Sequence, residues 1–297
     1  MRTVITGATG YIGGRLLAAM LERGWDTCAV VHSADDSALA PGVLRVPDTG
    51  RAPDLATALA AFGPDAVMHL AAAQDLTDDP SASDALVEAN LAFGARVLAA
   101  SRAAGARAFV AAGTYSAHAT GVYEYVPQTL YAATKRALLA LMEHYRVNTP
   151  LATIMLELSD TYGPGDGRPK FINLIAEATA SGESLHASPG DQVVRPIHAD
   201  DIVAAFIHSA ILLLDGAEVG AVHSVAGPDA VTLRELVDVF ERATGARVPV
   251  EWGARPHRPN EIMNPWSGDP LPAWEAGIGL LEGLGAVYGH LKPQERR

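Results

Sequence analysis

The segment Thr3-Val4-Ile5-Thr6-Gly7-Ala8-Thr9-Gly10-Tyr11-Ile12-Gly13 constrains this chain more than any other. It runs from a β-branched stretch, through three glycines spaced three apart, into an apolar helix start. A strand that turns at once into a helix favours glycine where φ must be positive. The second glycine lets the backbone approach a pyrophosphate, and the third lets the helix pack close to the strand. The first turn of such a helix presents free N–H groups and the positive end of its dipole to an anion. A strand before and a helix after is the context that gives this glycine pattern its meaning. Gly7, Thr9, Gly10, Tyr11, Ile12 and Gly13 are therefore expected against the phosphates of a dinucleotide.

Beyond that turn, short β-branched or apolar runs alternate with Ala/Leu-rich stretches. Residues 3–6, 26–31, 42–46, 66–71, 108–112 and 153–158 read as strands, and residues 12–23, 55–62, 82–104 and 130–148 read as helices. Strands separated by helix-length segments imply βαβ units and a parallel sheet covered on both faces. The expected fold class is α/β: a Rossmann-type doubly wound parallel sheet with a smaller, mixed C-terminal substrate lobe. The pattern loosens after Tyr162-Gly163-Pro164-Gly165. Helices at 170–181 and 232–244 are set between longer loops, and the stretch holding Pro249, Pro256, Pro259, Pro265, Pro270 and Pro272 reads as irregular. Residues 1–162 are expected to form the dinucleotide-binding domain, to which the chain returns around 197–225. Residues 163–297 are expected to form mainly the substrate lobe.

Composition narrows the function classes. The net charge of −12 argues against a nucleic-acid partner, because duplex binding rests on neutralising phosphates with a basic face. The single cysteine, Cys28, excludes an intramolecular disulfide and a cysteine metal cluster. It lies in the apolar run 27–31 and reads as a buried strand thiol. The histidines show no metal-ligand spacing, so no metal is expected. No apolar run is long enough to cross a bilayer. Met1 and Arg2 lead straight into a strand rather than a signal peptide, and the expected location is cytoplasmic.

A second constellation carries chemistry. In Tyr131-Ala132-Ala133-Thr134-Lys135 the i, i+4 spacing puts a phenol and an ammonium on one helix face. A neighbouring cation favours phenolate, so Tyr131 is expected to exchange a proton near neutral pH. At the end of the second strand, where a carboxylate would bind a ribose 2′-OH and favour NAD, the chain has His32 and Ser33. These two, with Arg15, suit a 2′-phosphate. NADP(H) is favoured, while Asp35 and Asp36 keep NAD(H) open.

Together these motifs resemble the extended short-chain dehydrogenase/reductase family. The resemblance implies that Thr114, Tyr131 and Lys135 form the catalytic set: Thr114 sharing the hydrogen bond to the reacting oxygen, Lys135 also holding the nicotinamide ribose. It implies cofactor contacts from Asp48 and Thr49 after the third strand, from Leu70, Ala71 and Ala72 after the fourth, and from Asn90 in the following helix. Later segments, including Asp160-Thr161-Tyr162-Gly163-Pro164 and Glu261-Ile262-Met263-Asn264-Pro265-Trp266, are similar to the nucleotide-sugar branch, and to its deoxysugar 4-ketoreductases in particular.

That branch implies a nucleotide-diphosphate sugar substrate bound by Tyr115, His118, Asp160, Arg168, Lys170, Arg195 and Arg258. Family dehydratases carry Asp-Glu directly after the catalytic Thr; here Tyr115 and Ser116 stand instead, so dehydration is not expected. Arg195 is displaced by one position from the family's diphosphate arginine, and on an extended segment that turns it to the other face. The expected activity is NAD(P)H-dependent reduction of a nucleotide-linked 4-keto sugar. A 4-epimerase with tightly held NAD is the first alternative, and a non-catalytic dinucleotide binder the second. The apolar surplus on helices 82–104 and 130–148 (Leu86, Leu91, Val97, Leu98, Leu138, Leu139, Leu141 and Met142) predicts a homodimer.

Overall fold

The computed structural model describes residues 1–32, 39–74, 79–120 and 125–291. Seven strands form one fully parallel sheet: β1 (Arg2–Thr6), β2 (Asp26–Val31), β3 (Leu44–Pro47), β4 (Ala66–His69), β5 (Ala108–Thr114), β6 (Ala152–Leu158) and, far downstream, Val222–Val225. Three short strand pairs lie outside it. β7 (Thr161–Tyr162) pairs with β10 (Ile197–His198), β8 (Leu185–Ala187) with β13 (Val250–Trp252), and β9 (Val193–Val194) with β12 (Val231–Thr232). Val222–Val225 is then β11, and the large sheet runs β11-β6-β5-β4-β1-β2-β3. This is a Rossmann-type α/β fold. Its strand order reverses between β1 and β4, and a crevice opens there beyond the carboxyl ends of the strands.

Both faces of the sheet are buried, as the runs of Val, Ile and Ala in its strands require. On one face Ile5, Ala29 and Met68 pack against α1 (Tyr11–Glu22) and α7 (Ala199–Leu214), through Leu16, Met20 and Phe206. On the other, Val4, Cys28, Val67 and Phe109 meet α2 (Ala52–Phe62), α4 (Phe93–Ala103) and α5 (Leu130–Asn148). Burial pushes the Cys28 thiol up to about 12, so it is an inert packing group. A third core joins α6 (Phe171–Ser181), α8 (Leu233–Thr244) and α9 (Leu280–Leu291) around Tyr162, Ile175, Phe240 and Leu284.

Three elements differ from the sequence reading. The single helix expected over 82–104 is α3 (Pro80–Val87), a π turn at Glu88–Ala92 and α4 in continuous succession. The π turn carries Asn90. Helix α7 is buried on nearly all sides, so it lacks the amphipathic stripe that marks a surface helix. Helix α9 was not expected after the proline-rich C-terminal stretch; Gly283 packs there against Tyr162, where a Cβ would overlap the hydroxyl.

Candidate active site

The cleft begins at the glycine-rich turn. Gly7 has φ +73°, and a Cβ on it would come within 2.7 Å of the Ala71 nitrogen. A Cβ on Gly13 would overlap the Gly7 carbonyl oxygen, so only glycine lets α1 seat on β1. Gly10 precedes the helix and offers no capping side chain, which leaves the N–H groups of the first turn facing the cleft. Thr6 braces the opposite wall. Its hydroxyl accepts from the Ala71 N–H at 3.1 Å and pairs with His69 Nδ1 at 2.9 Å. Burial, with the charge of Lys135 adding to it, lowers His69 to about 3. The ring is therefore neutral, and its Nδ1 shares one hydrogen bond with the Thr6 hydroxyl. Sequence reasoning missed Thr6; the only signal was its place before Gly7.

One continuous cleft of about 470 Å³ is lined by Gly7, Gly10, Tyr11, Ile12 and Gly13, by Leu70 and Ala72, and by Thr114, Tyr115, Ser116, Tyr131 and Lys135. Thr9 is exposed and Ala71 half-buried beside it. Thr114 ends β5, and its Oγ1 lies 2.8 Å from Ser116 Oγ. The Thr129 hydroxyl caps α5 by accepting from the Ala132 N–H, which fixes Tyr131 in the helix's first turn. Lys135 follows one turn later, 1% exposed, with Nζ 5.9 Å from the centre of the Tyr131 ring. That ammonium has no hydrogen-bond partner among the described residues, and burial lowers it to about 8. The expectation that Lys135 depresses the phenol is corrected here. Burial dominates and raises Tyr131 to about 12, and the cation opposing that rise is Arg168.

A second cavity of about 310 Å³ adjoins the first, and Tyr115, Asp160, Thr161 and Lys170 line both. Its walls include Phe171, Leu185, Val194, Leu233 and Ile262, with Arg255, Arg258 and Glu261 also lining it. Tyr115 donates to Asp160 Oδ2 at 2.9 Å. Burial and the Asp160 charge hold that phenol protonated. Thr161 Oγ1 accepts from both Lys170 Nζ, at 2.6 Å, and Arg168 Nη2, at 3.0 Å. Burial, then the nearby Arg168 charge, lowers Lys170 to about 8. Arg168 is held by Asp166.

Several expected residues lie elsewhere. His118 is buried behind the cleft against Glu157 and lines neither cavity, because its partner comes from a strand distant in sequence. Arg195 points away from the substrate cavity, which its neighbours Val194 and Pro196 line; its Nη2 donates to the Gly227 carbonyl. Asn90 gives its amide to protein: Nδ2 donates to the Ala73 carbonyl and Thr134 Oγ1, and Oδ1 accepts from the Ala73 N–H. It therefore ties the loop after β4 to α5 rather than facing a ligand. The Asp48 carboxylate is engaged by Arg96 at 2.8 Å, and Thr49 donates to Asp54. His32 is exposed at the end of β2, 5.6 Å from the Phe93 ring. Ser33, Asp35 and Asp36 lie outside the described residues. Arg15 turns to Asp200 and the Pro164 carbonyl instead of towards a ribose.

Two hydroxyls, Thr114 and Tyr131, and two cations, Lys135 and Arg168, line one cleft that starts at the N-terminal end of α1. This suits proton exchange with a carbonyl or alcohol. The dehydrating pair of carboxylates is missing, since Tyr115 is committed to Asp160 and Ser116 to Thr114. Among the described residues no group of three or more His, Cys, Asp or Glu is placed to hold a metal, and no helix is long and apolar enough to cross a membrane.

The chain is similar to several known proteins. A 3-diazoavenalumate denitrifying reductase from a Streptomyces species is 30% identical over 261 residues, covering 84% of this chain and 83% of that protein. The CDP-abequose synthase of Yersinia pseudotuberculosis is 26% identical over 270 residues, covering 89% and 92%. The UDP-glucose 4-epimerase of Thermus thermophilus, solved in complex with NAD, superposes with a TM-score of 0.80 at 24% identity, over 98% of each chain. Residues 3–216 match the model of the NAD dependent epimerase/dehydratase family, and the chain belongs to that family.

Proposed function

We propose that this protein reduces a nucleotide-linked 4-keto sugar to the corresponding hydroxy sugar. The observation that carries this reading is the buried Lys135 ammonium, unpartnered among the described residues, one helical turn from Tyr131, in a cleft that runs from the glycine-rich turn to a second cavity. An unpaired charge in a dry site is costly unless a ligand satisfies it. The ribose hydroxyls of a nicotinamide dinucleotide would do so, with Gly7, Gly10 and Gly13 giving its pyrophosphate close access to the backbone. When bound, the dinucleotide supplies the hydride equivalent that reduces the keto carbon. The chain's own residues handle the proton. Tyr131 donates from its hydroxyl to the carbonyl oxygen, and Thr114 shares that hydrogen bond. Lys135 and Arg168 steady the charge left on the phenol. Lys170, Asp160 and Tyr115, between the two cavities, would orient the sugar, and Arg258 would meet the diphosphate. Similarity to CDP-abequose synthase supports the nucleotide-sugar assignment.

NADPH is the proposed cofactor over NADH, on the absence of a carboxylate among the described residues ending β2. The reading extends to a homodimer through the helical run α3–α4, which spans the helix expected over 82–104, and α5. A second reading, 4-epimerisation with retained NAD, is favoured by the NAD-bound epimerase that superposes on the chain, and it uses the same residues. Incubating the protein with NADPH and a panel of CDP-, UDP- and dTDP-linked 4-keto sugars separates the two. Net NADPH consumption with a hydroxy-sugar product supports reduction. Turnover of a nucleotide sugar without added reductant supports epimerisation.

A further inference from the structure

His118 and Glu157 are each 2% exposed and lie outside both cavities. His118 Nε2 stands 2.8 Å from Glu157 Oε2, within hydrogen-bond distance. Burial, and next the charge of Glu157, raise the Tyr125 phenol to about 12. The imidazole stacks on Trp266, with centroids 4.1 Å apart and planes 6° from parallel, while Tyr125 closes at 4.6 Å. Two parts of the proposed site meet at this cluster. Glu157 is the register partner of Gly113, next to Thr114, and the His118 N–H donates to the Tyr115 carbonyl. Trp266 follows the segment whose Arg255, Arg258 and Ile262 line the substrate cavity, and Gln128 donates to the Asn260 carbonyl within it.

We propose that His118 and Glu157 form a buried positioning pair that couples the cavity wall at residues 255–266 to the strand end carrying Thr114. The inference rests on the reading of Thr114 as a catalytic hydroxyl. His118 Nδ1 has no hydrogen-bond partner among the described residues, so the bond from Nε2 to Glu157 is the ring's one polar tie, and breaking it leaves buried polar atoms unpaired. Misplacing a catalytic group by about 1 Å costs on the order of 10²-fold in rate.

Glu157→Leu removes the hydrogen-bond partner of His118 Nε2, whereas Glu157→Gln keeps a polar partner there. In amide hydrogen exchange on the full chain, which needs no substrate, Glu157→Leu should speed exchange at residues 113–119 and at 259–266 together, by about tenfold or more, with α1 unchanged. Speeding confined to 113–119 would overturn the coupling. With NADPH and a CDP-linked 4-keto-deoxysugar as the probe, Glu157→Leu should lower kcat about tenfold or more at nearly constant KM, and Glu157→Gln should restore most of it. A Leu variant with kcat within about twofold of wild type would also overturn the proposal. If Glu157→Leu does not fold, Trp266→Leu strikes the other end of the stack and should give the same paired change in exchange. A wild-type protein that turns over no keto-sugar probe counts against the proposed reaction, and the exchange result alone then decides the pair.

Discussion

Lys135 is an ammonium lining the cleft, with no hydrogen-bond partner among the described residues, and burial lowers it to about 8. Because its folded pKa is depressed from 10.5, the unfolded chain binds that proton more tightly between the two values, and stability rises with pH across this window. At neutral pH the buried charge costs about 3 kcal/mol. Lys135→Met should therefore stabilise the dinucleotide-free protein against urea at pH 7, with the gain shrinking above pH 8, while abolishing turnover. A destabilised variant at pH 7 would contradict the account. The pair Tyr131 and Lys135 was legible because four-residue spacing on a helix is local. The direction of the Tyr131 shift was not, because burial belongs to the folded molecule. His118 was misassigned for a similar reason, since Glu157 lies 39 residues away.

The glycine-rich turn separates folding from binding at the level of an element. A Cβ on Gly13 would overlap the Gly7 carbonyl, whereas one on Gly10 meets that oxygen only at 3.3 Å and otherwise faces the cleft. Gly13→Ala should cost several kcal/mol, read as a large fall in Tm or loss of soluble protein. Gly10→Ala should melt within a few degrees of wild type yet bind NADPH at least about tenfold more weakly in a fluorescence titration. Equal affinity in the Gly10 variant would remove that turn from the dinucleotide site. The turn and the alternating strands could be read from sequence because each pattern is local and strict. The π turn at Asn90 could not, because its reason is the Ala73 loop and Thr134, which only the fold brings beside it.

For the whole molecule, the apolar surplus that suggested a homodimer is largely absorbed inside one subunit. Leu86, Val97, Leu98, Leu138, Leu139 and Met142 are buried, while Leu141, Val87 and Val147 are exposed. The dimer is expected to use that smaller set. Light scattering should give about twice 31.0 kDa at micromolar concentration, and Leu141→Glu should shift the mass towards a single chain. A wild-type mass near 31.0 kDa would rule the dimer out. Joining the two cavities into one cleft brings together residues from β5, α5 and the loop before α6, and the central claim is that Tyr131 supplies the proton there. The direct measurement is kcat for NADPH oxidation by a 4-keto-sugar nucleotide in the Tyr131→Phe variant, with NADPH affinity measured in parallel. The account predicts a loss of about 10²–10⁴-fold in kcat with affinity nearly unchanged. Turnover close to wild type would contradict it.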